Sequence, residues 1–75
     1  MSEVAQELRF MLETAGWQIV ERYIRERASD HRARLMDCRT WDDVLRHRGA
    51  VEALEGVLLH IERRIREEVE EDAEV

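Results

Sequence analysis

Three side chains near the middle of the chain have the chemistry to hold a metal or attack an electrophile: His31, Cys38 and His47. Imidazole nitrogen and thiolate sulfur suit zinc, which takes four donors in a tetrahedron. A chain reversal near residue 39 would bring His31 and His47 to similar heights. A fourth donor at matching spacing is lacking, and no Cys-x-x-Cys or His-x-x-x-His pair occurs. The Glu-x-x-His repeat that arms di-iron bundles is also absent. A Cys38–His nucleophile pair would need an oxyanion donor, and no motif supplies one. Without lysine there is no Schiff-base chemistry and no phosphate loop ending in Gly-Lys-Ser/Thr. These residues therefore predict no enzyme, no metal, no cofactor and no small-molecule substrate. His31 and His47 become polar residues of a helix–helix seam, and Cys38 a small, covered thiol.

Composition narrows the class further. Seventy-five residues, 44% hydrophobic and 40% charged, allow one small domain with a modest core. All 12 basic residues are arginine, and asparagine and proline are absent as well as lysine. Absence of asparagine removes any N-glycosylation acceptor, and a single cysteine permits no internal disulfide. No signal-like segment opens the chain, and no run approaches the roughly 18 apolar residues of a membrane span. The expected setting is intracellular, neither secreted nor membrane-spanning.

The elements that must position these residues are helical, because the apolar pattern has no sustained period of two. Val44, Val51, Leu58 and Ile65 recur every seven residues, with Leu54 and Ile61 between them and His47 and Glu68 as polar members of the same seam. Thr40 caps this helix, Asp43 stands three residues on, and Asp42 and Asp43 complement its dipole. Upstream, Leu8, Leu12, Ala15, Ile19, Tyr23, Ala28, His31 and Leu35 lie near one face of a first helix that Ser2 would cap. The predicted fold is all-α: an antiparallel two-helix hairpin with a coiled-coil-like seam over residues 1–66. Helix one spans about 2–37, the tip 38–40, and helix two starts at 41. Each helix would be about 45–50 Å long.

Charge follows the same division. Residues 67–75 hold six of the 18 acids and no base, an acidic helix end or frayed tail. Removing them leaves 12 acids against 12 arginines, so the formal charge of -6 belongs to the tail. Residues 22–48 carry eight arginines against five acids, and residues 1–21 four acids against one arginine. Folding about residue 39 makes the tip basic, with Arg32, Arg34, Arg39, Arg46 and Arg48, and the open end acidic. A tip of this kind can steer toward phosphate. Opposite charges at helical spacing, the lack of lysine and the lack of aromatic interleaving beyond Trp41 argue against nucleic acid as the partner.

Ten of the seventeen residues from Leu8 to Ile24 are apolar and cover more than one stripe. Phe10, Trp17 and Ile24 recur every seven residues, with Val20 beside them, and form the expected partner-binding surface. On the second helix Gly49, Ala53 and Gly56 make a small-residue strip that would admit another helix closely. A two-helix unit is too small to bury all of this, so homo-oligomerisation or docking on a larger protein is expected.

The segment Trp41-x-x-Val44-Leu45-x-x-x-Arg48-Gly49-x-Val51-x-Ala53-Leu54-x-x-Val57-Leu58 resembles small helical-hairpin proteins of tailed bacteriophages, from the head and packaging gene neighbourhood. In those proteins a tryptophan-bearing helix precedes an Arg-Gly-x-Ile/Val-x-x-Leu helix, and Trp17 here takes the place of that tryptophan. The resemblance covers about residues 14–62. It departs at Trp41 and at the acidic extension after Arg66. It implies a virion-associated or assembly role, in the virion or the host cytoplasm, with the chain itself or a larger virion protein as partner. Two other functions fit the charge map. A small regulatory binder, an antitoxin or host-enzyme inhibitor, would use the acidic end, and a nucleic-acid binder would use the basic tip.

Overall fold

The computed structural model describes residues 3–74, with side-chain surroundings for residues 3–68. The chain forms α1 (Glu3–Leu12), α2 (Ala15–Leu35) and α3 (Trp41–Glu74). Among the described residues there is no strand. The all-α expectation holds, and the two-helix count is corrected to three because the first helix is broken at residues 13–14. The Ser2 cap lies outside the described residues. The acidic run is helical to Glu74.

The break is built by Thr14. Its backbone is extended, at φ -83° and ψ 148°. Its hydroxyl donates to the Met11 carbonyl at 2.7 Å and accepts from the Trp17 N–H at 3.1 Å. One side chain thus closes α1 and caps α2. The break also changes which side of the first segment is covered. The half-buried and buried positions of α2 are Trp17, Glu21, Ile24, Ala28, His31 and Leu35, a three–four spacing. Continued backwards, that spacing would turn Phe10, Glu7 and Glu3 inward. The break rotates α1 instead, so that Ala5 is buried and Leu8 and Met11 are half-buried. Thr14→Ala should lower stability by about 1 kcal/mol. A thermal melt followed by circular dichroism should show the midpoint falling by about 4–8 °C.

The second start signal behaves as its residues dictate. The Asp43 N–H reaches Thr40 Oγ1 at 3.2 Å, and the Val44 N–H reaches the Thr40 carbonyl at 3.2 Å. Beyond this cap α3 packs along α2 in the opposite sense. His31 meets His47, and Trp17 shares a cleft with Leu58 and Glu62, so positions rise on α3 as they fall on α2. The α3 side of the seam is Val44, His47, Val51, Leu54, Leu58, Ile61, Ile65 and Glu68, all buried or half-buried as their heptad spacing predicts. On α2 the expected face is corrected in part. Ala28, His31 and Leu35 face α3, whereas Ile19 and Tyr23 are 69% and 61% exposed. The Cα atoms fill 52 × 29 × 13 Å, a slab about one helix thick. Its buried hydrophobic residues are Ala5, Ala28, Val51, Leu58 and Ile61.

Candidate functional site

The polar cluster of the seam is the contact between His31 on α2 and His47 on α3. Their Nδ1 atoms are 2.9 Å apart and their rings tilt by 42°. At that distance one nitrogen must donate its proton and the other accept, so the pair requires at least one neutral ring with a free Nδ1 lone pair. Partial burial, first of all, pushes the His31 pKa below its ordinary value. Arg27, His47 and Arg34 add to this, and Asp30 opposes it. Cys38 is not part of this pair: its Sγ donates to the Arg34 carbonyl at 3.2 Å. Among the described residues no three His, Cys, Asp or Glu side chains converge as a metal-binding group.

The lowered His31 pKa sets a pH dependence. Unfolded chains carry His31 near its ordinary pKa of about 6.5 and take up its proton first as the pH falls. The stabilising contribution is therefore complete above about pH 6.5 and is lost as the pH drops through that value toward the lower folded-state pKa. Urea midpoints should fall between pH 7.5 and pH 5. In His31→Gln that fall should be shallower.

The arginines predicted to form a basic tip divide into two groups. Arg32 is bound to Glu55 across the helices, Arg48 to Glu52 at 3.3 Å, and Arg46 lies 3.9 Å from Asp43. The Arg32 hydrogen bond lowers the Glu55 pKa and raises that of Arg32. Arg34 and Arg39 have no ion-pair partner among the described residues. Beside them at the tip, Met36 and Trp41 are exposed. The observed tip is thus partly neutralised and partly apolar, which its sequence charge did not reveal.

The predicted partner-binding residues are also divided by the fold. Trp17 and Ile24 are half-buried on the side of α2 facing α3, while Phe10 and Val20 are exposed. Gly49 and Ala53 are exposed and Gly56 is half-buried. A methyl group placed on either glycine would meet nothing within 4 Å, so no helix of this chain approaches the strip. The sequence reading did not single out the exposed side of α2 carrying Ile19 and Tyr23. The signal that could have found it is the heptad phase of Trp17, Ile24 and His31.

The two broad faces of the slab differ. With α2 and α3 antiparallel, residues on the Arg32–Glu55 side share one face, and helical geometry at 100° per residue assigns the rest. That face carries Arg25, Glu55, Leu59 and Glu62, which line an open depression. The opposite face carries Ile19, Val20 and Tyr23 from α2 and Ala50, Ala53 and Val57 from α3. The same spacing places Arg27 and Arg34 of α2 and Arg46 and Arg64 of α3 on that side. No helix of the described residues is long and apolar enough to cross a membrane.

No protein-family model, curated protein or solved structure matches the chain. The class the described residues define is a small all-α unit of three helices in a thin layer.

Proposed function

We propose that this chain is a non-enzymatic assembly protein that acts through protein–protein contacts, as a structural, adaptor or scaffold-like component of a tailed-phage particle. The α2–α3 pair would then act as a coiled-coil-like hairpin that becomes fully packed only in its assembled state. The observation that carries this reading is the mismatch between core and surface. Ile19, Tyr23, Phe10, Trp41 and Met36 are each more than 60% exposed, while among the described residues the core is built from five small or medium ones. Met36 and Trp41 lie together at the tip and Ile19 and Tyr23 one helical turn apart, and grouped exposure of this kind is usual at interaction surfaces. The phage setting rests on the resemblance carried by Trp41 to Leu58. Pairing of Arg32, Arg46 and Arg48 with carboxylates weighs against a phosphate-binding tip.

Sedimentation of the chain expressed alone, and of virions or lysates from cells that make it, tests this function. Recovery in a defined oligomer or a particle fraction is the expected result. A 9.0 kDa monomer in every fraction and at every concentration would remove the assembly reading.

A further inference from the structure

We infer that His31 and His47 form a pH-operated latch for the tip half of the α2–α3 seam, closed while one proton is held between their Nδ1 atoms and opened when both rings become imidazolium. Such a latch is independent of the assembly reading and acts at one end of the seam, not on the whole fold.

The contact is head-on. The Nδ1 atoms are 2.9 Å apart and the ring centroids 5.2 Å, close to the largest separation that this nitrogen distance allows. Each ring therefore points its nitrogen straight at the other, as a linear N–H···N bond requires. A tetrahedral zinc ion would need its two ligands at an angle, so the alignment suits a proton. With two neutral rings, one Nδ1–H donates and the other Nδ1 accepts. A first added proton goes to Nε2 of the donor ring and leaves the bond in place, now charge-assisted. A second must occupy the accepting Nδ1. Two N–H groups and two like charges then face each other, and the contact cannot persist.

The surroundings supply no bonded counter-ion for that second charge. On α2, Arg27 and Arg34 outweigh Asp30 around His31, and burial, the largest influence, also favours the uncharged ring. On α3, Asp43 stands one turn before His47, but Arg46 lies 3.9 Å from it. The position of the pair decides what opens. Ala28 and Val51, both buried, lie one turn away on the side remote from the tip, and the seam positions on the tip side are the half-buried Leu35 and Val44. Among the described residues 33–50 no other side-chain hydrogen bond or ion pair joins α2 to α3. Toward the open end Leu58 and Ile61 are buried, and Trp17 shares a cleft with Leu58. The tip half is held by less apolar burial, so loss of its polar clasp releases it first.

Amide hydrogen exchange of the full chain, resolved by residue and corrected for the intrinsic effect of pH, tests the latch. Between pH 7.5 and 5.5 one uncompensated proton raises an opening constant by about ten-fold, since the open state titrates near an ordinary histidine pKa of about 6.5. Protection of residues 31–35 and 44–51 should fall by that order, while protection at Leu58 and Ile61 should fall less than about two-fold. His47→Gln offers a carbonyl that accepts from a protonated His31, so there the fall should shrink below about three-fold. His60→Gln, at an exposed site, should retain the full fall. In the wild type, nitrogen NMR at pH 7.5 should show a spin coupling across the His31–His47 hydrogen bond, lost by pH 5. Absence of that coupling, or an unchanged fall in His47→Gln, overturns the pair. An equal fall along the whole seam overturns the local latch.

Discussion

Ile24→Glu is expected to unfold the pairing of α2 with α3. Ile24 is half-buried in the seam, four residues before Ala28, which is 1% exposed. Removing its apolar burial costs about 1.5 kcal/mol, and placing a carboxylate there costs about 1–3 kcal/mol more. Since 75 residues support a total stability of roughly 4–11 kcal/mol, that is a large share. The thermal midpoint should drop by about 15–25 °C. Leu59→Glu, on the charged face, should move it far less. Equal shifts in the two variants would mean that the seam does not run through Ile24. The contrast also separates two roles for the Phe10–Trp17–Ile24 spacing. A docking stripe would lose a partner and keep its helices, whereas a seam loses the helices themselves.

Leu58→Ala should have the second-largest effect. Leu58 is 7% exposed and lies between Val51 and Ile61 in the buried set. Leucine-to-alanine changes in cores cost about 2–5 kcal/mol, the spread depending on how far the site collapses. A layer one helix thick can close partly around the gap, which favours about 2–3 kcal/mol here. Chemical denaturation at neutral pH should show the midpoint falling with little change in slope. Leu59→Ala, one residue on and 47% exposed, should fall by less than about 1 kcal/mol. If the neighbours respond alike, α3 is turned by a full residue relative to the observed seam.

Legibility differed between the two halves of the chain. α3 could be read residue by residue. Thr40 and Asp43 announce its start, and Val44, Val51, Leu54, Leu58, Ile61 and Ile65 share one heptad phase, with Leu45, Val57 and Leu59 outside it. The first half offers no such uniqueness. From Leu8 to Ile24 apolar residues cover most of the helix circumference, so two phases compete for the seam. Thr14 is a cap residue, but Trp17 stands where a capping box would place Glu or Gln. No proline marks the stop of α1, and Gly16 is a weak signal within a helix. The candidate surface suffered in the same way, since Trp17 and Ile24 look like a free stripe until the break at Thr14 is known.

What the amino-acid sequence determined alone was local or periodic: helices throughout, the Thr40 start, the α3 seam and the separation of charge along the chain. Each follows from a side chain acting on its own backbone or from a repeat along one helix. The tertiary structure alone decided the phase of α2, the turn of α1 and the direct contact of His31 with His47. It also decided which arginines are neutralised, because Arg32 pairs with Glu55 across 23 residues. These depend on how one helix is rotated about another. That rotation is set by the burial of Ala28, Val51 and Leu58 together, and by a hydroxyl at Thr14 that stops one helix and begins the next.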